Sequence, residues 1–318
     1  MRLARLLLGA AVAMAVSLAG CTATDEPARL SGEITVATGN QGGVYAEYGA
    51  GYADVIGRVP GASGRVLHTG GSVDNLRLVE GGEAQAAFSL ADSASDAVAG
   101  RPPFSGRAPL VALAALYDNY VQLVVRADSP VRSVKELRGM RVSVGSEGSG
   151  TTLIAERILK IAGLSPDGDV TAQRLDVRES TRALAEKRID AFFWSGGLPT
   201  AAITDLRKST EIRLVDLGEV VAALTRSYGE LYTQTTVPAV VYGVQSAVTT
   251  VSVPNFLVVR RDMPEAQAYW LTRLLFEGQP RLIRAHPEAR RLDRRTAIAT
   301  HPLDLHPGAA RWYGESHP

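Results

Sequence analysis

The sequence is short of cysteine, of lysine and of net charge. Cys21 is the one cysteine among 318 residues, four of the 34 basic residues are lysine, and the formal net charge is +1. A single thiol excludes an internal disulfide, so a folded domain must be stabilised by burial of its apolar residues. Acidic and basic residues are spread along the chain, so nucleic-acid binding through a basic face has little support.

Long apolar runs are absent beyond the first twenty residues, so no later segment is expected to span a bilayer. At the start, two arginines precede an apolar and small-residue run at 6–18, the order found in secretory signal peptides. The segment ends in Leu-Ala-Gly-Cys, which resembles a bacterial lipobox whose cysteine is lipidated. We predict a signal peptide at 1–20, then lipidated Cys21 and a tether at 21–31. The alternative is an ordinary cleaved signal with an incidental cysteine.

The chain beyond the predicted signal is longer than one hydrophobic core usually serves, so two lobes are expected. Strand-like and helix-like segments alternate in two series, which predicts a parallel α/β sheet in each half. The predicted strands are 33–38, 65–69, 86–90, 110–117, 121–126, 141–144, 170–175, 191–194, 212–216 and 248–259. The predicted helices are 44–59, 73–80, 134–138, 152–162 and 180–187.

Glycine-rich turns follow several of the predicted strands, at 39–43, 70–72 and 145–151. Such turns present free backbone N–H groups at the start of the next helix, and these groups suit anions. Segment 146–152 is the strongest candidate, because its serine and threonine hydroxyls add uncharged donors. Spacing alone does not separate this role from that of a helix N-cap with ordinary turn glycines.

Nucleotide, catalytic and metal sites have little support. A Walker-type phosphate loop needs lysine where Thr151 stands, and a dinucleotide fingerprint needs glycine where Leu153 stands. Neither serine of this turn has the flanking glycines of a hydrolase elbow. His301 and His306 lie five apart among prolines, so no helix places them on one face as metal ligands. No catalytic residue, metal or cofactor is predicted.

Five ordered segments resemble the TAXI family of TRAP-transporter solute receptors. They are TGNQGGVYAEYGAGYADV, TGGSVDNLRLVEGGEAQAAFSLAD, LAALYDNYVQLVVRADSPVRSVKELRGMRVSVGSEGSGT, AEKRIDAFFWSGGLPTAAI and LHPGAARWYGE. The resemblance covers 34–315. It implies an α/β, type II periplasmic-binding-protein fold, in which two α/β lobes joined by a hinge enclose a ligand cleft.

The resemblance also implies the path of the chain through the lobes. Lobe one is expected at 32–119 plus 249–318, and lobe two at 120–248. The hinge strands are expected at 121–126 and 248–258. Pro254 departs from a central paired strand, so we expect it at an edge or bend.

The same resemblance implies a set of ligand-binding residues on four turns. Tyr45 would offer its phenol, with a core aromatic as the alternative role. Ser72 and Asn75 would offer a hydroxyl and an amide, with a role as helix caps and turn residues as the alternative. The full set is Gly43, Val44, Tyr45, Ser72, Asn75, Ser149, Gly150, Thr151, Thr152, Ser195, Gly196, Leu198 and Pro199.

The implied function is an extracytoplasmic receptor anchored to the bacterial membrane by lipid at Cys21. It would capture a small organic anion or amino acid, glutamate-like or a dicarboxylate, and deliver it to TRAP transporter membrane subunits. Closure of the lobes would accompany binding, with no covalent step, and the receptor is expected to be a monomer. The alternatives are a lipoprotein of the same fold serving an ABC importer or a sensor, and a hydrolase that uses a serine of these turns.

Overall fold

The computed structural model describes residues 27–316. The predicted signal peptide, Cys21 and most of the predicted tether therefore lie outside the described residues. Within 27–316, no helix combines the length and apolar character needed to cross a membrane.

One mixed sheet of ten strands runs through the described part of the chain. The strands are β1 (Gly32–Ala37), β2 (Ala62–Leu67), β3 (Ala86–Leu90), β4 (Leu110–Arg126), β5 (Arg141–Ser143), β6 (Thr171–Gln173), β7 (Ala191–Gly196), β8 (Ile212–Val215), β9 (Thr233–Val237) and β10 (Val248–Arg260). Their order is β2-β1-β3-β10-β4-β7-β5-β6, with β8 paired to β4 and β9 to β10.

Ten α-helices occur within 27–316, together with three short 3₁₀ segments at Val134–Leu137, Ala239–Val241 and Pro287–Arg291. The helices are α1 (Val44–Ile56), α2 (Ser72–Gly81), α3 (Ala91–Ala99), α4 (Gly150–Ile161), α5 (Val177–Ala185), α6 (Ala201–Ser209), α7 (Gly218–Tyr228), α8 (Glu265–Glu277), α9 (Gln279–Ala285) and α10 (Pro307–Glu315). The region after β10 contains α8, α9 and α10.

The sheet is buried on both faces. Successive side chains of a strand point to opposite faces, and in β10 Phe256 and Val258 join one apolar cluster while Leu257 and Val259 join another. The first cluster includes residues of α2, α3, α4 and α7, and the second includes residues of α1, α8 and α10. Helices thus cover both faces of the central strands, which explains why β3, β4 and β10 are mostly apolar, whereas β2, β6 and β9 are partly exposed.

The two long strands β4 and β10 are antiparallel to each other and join the two ends of the sheet. β1 pairs in parallel with β2 and β3, and β5 with β6 and β7. The predicted parallel sheet in each half is therefore right for these strands and wrong for β4 and β10, which return through the centre. The prediction of two strands within 110–126 is also wrong, because β4 continues through Asn119, whose partner is Val253.

Pro254 lies where β10 changes neighbours on one side. β10 pairs with β9 up to Ser252 and with β3 from Asn255, so Pro254 has no strand partner on that side. On the other side, the register with β4 shifts between Asn255 and Phe256. Pro254 itself pairs with Asp118 of β4, so it lies at an irregular point inside the sheet where β10 changes neighbours, and not on an outer edge strand.

A buried ionic cluster links α3 to α4. The Arg157 Nη1 atom donates to the Tyr232 hydroxyl at 2.6 Å and lies 3.4 Å from Asp92 Oδ2, while its Nη2 atom donates to Asp96. The Tyr232 hydroxyl in turn donates to Asp92 Oδ2 at 2.6 Å. Burial raises the pKa of Asp92, and the guanidinium of Arg157 opposes that shift. Asp96 also accepts from Arg101 Nε at 2.8 Å, whereas Asp92 has Arg157 as its one cationic partner among residues 27–316.

We expect Arg157→Met to lower the free energy of unfolding by about 3 to 5 kcal/mol, because it leaves the buried Asp92 without a cation, although Asp96 keeps Arg101. The loss should shrink at acidic pH, because protonation of a carboxyl whose pKa is raised in the folded state removes the unpaired charge. Urea unfolding at neutral and acidic pH measures both effects.

The matched control is Arg174→Met. Arg174 lies just after β6 and forms a half-exposed ion pair with Glu156, which is on α4 like Arg157. The substitution should cost about 1 kcal/mol or less, as loss of an exposed pair does. Equal losses in the two variants would contradict the role assigned to the buried cluster.

Candidate functional site

A cavity of about 50 Å³ lies where turns from the two halves of the sheet meet. At about 30 Å³ per water molecule, this volume has room for one or two waters. The turns follow β1, β2 and β3 on one side and β5 and β7 on the other. Its lining comprises Gly39, Asn40, Gly43, Val44, Tyr45, Gly70, Gly71, Ser72, Leu90, Tyr117, Asn119, Ser146, Ser149, Gly150, Thr151, Trp194, Ser195 and Gly196.

Three helices begin at this cavity. The N-caps of α1, α2 and α4 are Gly43, Gly71 and Ser149, and each N-cap and the residue after it line the cavity. A helix leaves its first N–H groups without internal acceptors. Five lining N–H groups have no acceptor among the described residues, those of Val44, Tyr45, Ser72, Gly150 and Thr151. The cavity wall is therefore rich in unused donors.

No Asp, Glu, Lys, Arg or His belongs to the lining of the cavity. Its electrostatic character is set by the helix N-termini, each of which is equivalent to about half a positive charge. Such a wall favours an anion without a fixed cationic side chain.

Three buried side chains of the lining have polar atoms without partners among the described residues. They are the Tyr117 hydroxyl, the Asn119 Oδ1 atom and the Ser195 hydroxyl. Their residues are 5%, 4% and 6% exposed. An unpaired buried polar atom is costly, so these three atoms mark where a bound molecule would restore hydrogen bonds.

Tyr45 and Tyr117 present neutral phenols to the cavity. Burial raises the pKa of both hydroxyls above the ordinary tyrosine value. The Tyr45 hydroxyl donates to Asn255 Oδ1, and its ring lies 5.4 Å from the ring of Phe88. Tyr45 thus has the packing of a core aromatic and lines the cavity at the same time.

The sequence-predicted residues divide into two groups. Asn75, Thr152, Leu198 and Pro199 lie outside the lining, and their roles as ligand contacts stay predictions. The structure brings the other nine together around the cavity: Gly43, Val44, Tyr45, Ser72, Ser149, Gly150, Thr151, Ser195 and Gly196.

Ser149 is the N-cap of α4. Its hydroxyl donates to the Ser146 carbonyl at 2.7 Å and accepts from the Thr152 N–H at 3.1 Å. The Thr152 hydroxyl also donates to Ser146 O, at 2.6 Å. Both hydroxyl protons are used within the turn, so the capping role left open by the sequence applies to Ser149. The neighbouring Thr151 Oγ1 accepts from the Ser195 N–H at 3.3 Å and joins the β5 and β7 turns.

Ser72 and Asn75 hold turns in place and do not cap α2. Ser72 Oγ accepts from the Leu90 N–H at 3.0 Å, and the N-cap of α2 is Gly71. Asn75 donates to Thr38 O and to Phe88 O, the latter at 2.7 Å, which ties the ends of β1 and β3 to α2. The expected capping alternative is therefore wrong for both residues.

Leu198 and Pro199 follow β7 beyond the cavity. The Leu198 N–H donates to Glu288 Oε1 at 3.1 Å, across to the C-terminal part of the chain. This is one of several contacts between the two sides of the cleft. At another, Gly148 O accepts from the N–H groups of Val73 and Asp74, each at 3.0 Å.

Sequence reasoning missed part of the lining, notably Asn40, Tyr117, Asn119 and Trp194. Asn40 donates to Ser146 Oγ across the cleft. A signal was present for Asn119, since a polar Asp-Asn pair interrupts an otherwise apolar strand. Which face of the strand met a cavity was not readable from the pattern.

Residues 36–316 match the NMT1-like family over most of the chain. The chain belongs to the NMT1-like family. Among solved structures, this NMT1-like protein is similar to a protein of Bordetella bronchiseptica RB50, with a TM-score of 0.54 and 18% identity over 90% of each chain. It is also similar to a periplasmic transporter, with a TM-score of 0.53 and 13% identity over 91% of this chain and 93% of that one.

A third similar structure is an ancestral arginine-binding protein bound to arginine. The TM-score is 0.51 and the identity 12%, over 84% of this chain and 99% of that chain. At these identities the likeness concerns the fold. The predicted two-lobed α/β fold of periplasmic solute-binding proteins is confirmed for the NMT1-like protein.

We expect Ser149→Ala and Ser195→Ala to have different effects on stability. Ser149→Ala removes the cap of α4 and should cost about 1 kcal/mol of unfolding free energy. Ser195→Ala removes a buried hydroxyl that has no partner, so the empty protein should lose no stability. Chemical denaturation of the two variants compares them directly. A similar loss in both would mean that the Ser195 hydroxyl is paired.

Proposed function

We propose that this NMT1-like protein is an extracytoplasmic solute-binding receptor that captures a small carboxylate and delivers it to TRAP transporter membrane subunits. One observation carries the proposal. Three helix N-termini meet at an uncharged cavity between two sets of turns, and their first N–H groups are unpaired.

The charge and size of the cavity support a small carboxylate. Three helix N-termini together supply about one and a half positive charges, which suits one or two carboxylates. The cavity of about 50 Å³ is well below the roughly 300 Å³ of an ordinary ligand pocket, which favours a small molecule and disfavours a nucleotide. A glutamate-like amino acid or a dicarboxylate is proposed from the charge of the cavity and from the resemblance to TAXI receptors.

The topology supports closure about a hinge. We assign 32–119 plus 249–318 to lobe one and 120–248 to lobe two, with the central parts of β4 and β10 as the hinge. A ligand that touches turns of both lobes binds the closed form better and shifts the population toward it. Membrane subunits that recognise the closed form would then receive loaded receptor.

The lining gives no support to an enzyme. The hydroxyl proton of Ser149 is donated to a carbonyl oxygen. The lining also contains no histidine, carboxylate or lysine that could act as a general base for any of its serines. The fold itself does not identify the membrane partner, and an ABC importer or a sensor is the alternative. The five segments that resemble TAXI receptors support the TRAP assignment, and a TRAP permease gene beside this one would strengthen it.

A thermal-shift screen of the 22–318 fragment tests the proposed ligand class. Amino acids and dicarboxylates form the panel, with the matching carboxamides as uncharged controls. A ligand at a hundred times its Kd adds about 2.7 kcal/mol of stability, a clear rise in melting temperature. Stabilisation by the carboxamides alone would contradict an anion site.

The same screen on Gly70→Ala tests closure. A Cβ atom at Gly70 would lie 1.9 Å from the carbonyl oxygen of Glu147 on the opposite side of the cleft, so the closed form cannot accept it. Ligand affinity should fall by about tenfold or more. The control Gly106→Ala meets no atom within 4 Å and should bind as the wild type does. Wild-type affinity in Gly70→Ala would contradict the proposed closed site.

The lipid anchor is proposed from the lipobox-like segment, and Cys21 lies outside the described residues. We expect the full chain to fractionate with bacterial membranes. Cys21→Ser should move it to the periplasmic fraction, because the one lipid acceptor is lost. Fractionation with immunoblotting measures this, and an unchanged distribution would contradict lipidation at Cys21.

A further inference from the structure

We propose that the carboxylate ligand also carries a hydrogen-bond donor, and that Asn119 Oδ1 is the acceptor that selects it. The donor is the hydroxyl of a hydroxy acid or the ammonium group of an amino acid. This inference rests on the proposed carboxylate receptor and narrows its ligand class.

Asn119 lies at the centre of the molecule. It belongs to β4, pairs with Val253 of β10, and is 4% exposed. Its side chain lines the cavity at the point where the hinge strands pass beneath the turns of both lobes. A group of the ligand that reaches Asn119 is therefore at the floor of the site.

The orientation of the Asn119 amide is fixed by its neighbour. Nδ2 donates to the carbonyl oxygen of Ser195 at 3.2 Å. A carbonyl oxygen only accepts hydrogen bonds, so the amide nitrogen must face Ser195, and a flipped amide would place two acceptors together. Oδ1 is thereby left facing away from Ser195, buried and without a partner among residues 27–316.

The chemistry of Oδ1 differs from that of the other unpartnered atoms in the lining. The hydroxyls of Tyr117 and Ser195 both donate and accept, so a carboxylate satisfies them as well as any donor does. An amide oxygen only accepts. A plain dicarboxylate can satisfy the free N–H groups of the helix starts and the two hydroxyls, but it leaves Oδ1 unpaired or repelled.

The lining is compatible with either kind of donor. A hydroxyl has one proton to give, which Oδ1 accepts. An ammonium group has three, which Oδ1 and the hydroxyl oxygens of Tyr117 and Ser195 can accept. No carboxylate side chain lines the cavity, so an ammonium group would be balanced by the ligand's own carboxylate. Comparing hydroxy acids with amino acids distinguishes a hydroxyl donor from an ammonium donor.

Titration calorimetry of the full chain in detergent solution compares acids that differ at one group. The sets are succinate, malate and aspartate, and glutarate, 2-hydroxyglutarate and glutamate. A member with a donor should bind about tenfold tighter than the plain dicarboxylate of its set. The methyl ether of malate keeps the oxygen and loses the donor, so it should bind no tighter than succinate if the hydroxyl is the donor. The tighter of the hydroxy and amino members identifies the group.

Asn119→Leu removes the acceptor at similar side-chain volume. It should abolish the preference for the donor-bearing acid, so that malate and aspartate bind no tighter than succinate to the same variant. Gln122→Leu is the matched control, because Gln122 lies on the same strand, is buried, also has an unpartnered side-chain oxygen, and does not line the cavity. The control should keep the preference.

The outcomes separate this inference from the proposed function. Equal binding of all three members of each set, or a preference that survives in Asn119→Leu, overturns the role of Asn119 and leaves the carboxylate receptor standing. Absence of binding to every acid, with binding of uncharged solutes, overturns the proposed function and this inference together. Since the methyl-ether comparison uses the wild-type chain, a failure of Asn119→Leu to fold does not remove the test.

Discussion

The structure depends on a property of every α-helix, that its first N–H groups have no acceptor within the helix. In this chain α1, α2 and α4 all start at one cavity, so their unpaired donors and their dipoles add there. A wall of this kind concentrates positive potential without a lysine or arginine. The side chains of the lining are all uncharged, and its glycines allow the backbone to approach a ligand closely.

The position of these helices follows from the sheet. In a parallel sheet the carboxyl ends of neighbouring strands lie at one edge, and the turns after β1, β2 and β3 share that edge in one half while those after β5 and β7 share it in the other. β4 and β10 cross between the halves and bring the two edges face to face. The same two strands place Asn119 and Tyr117 at the floor of the cavity.

Charged side chains do not line the cavity, but a buried group of them lies between α3 and α4. The buried cluster of Asp92, Asp96 and Arg157 joins α3 to α4 and is fully paired within the protein, so it does not compete for the ligand. Truncating one partner of such a cluster is costly, although the cluster as a whole adds little net stability. Because α3 and α4 belong to different halves of the sheet, the cluster can fix how these two helices pack against each other.

The sequence by itself determined the α/β class, most strands and helices, and the glycine-rich turns, because each depends on local periodicity and on backbone freedom at glycine. Through the resemblance to TAXI receptors it also supplied thirteen site residues, nine of which line the cavity. Only the tertiary structure decided that β4 is one strand, that the Ser149 hydroxyl caps α4, and that Asn119 lines the cavity and has a buried side-chain oxygen without a partner among residues 27–316. These depend on pairing between residues far apart in the chain, which local patterns do not encode.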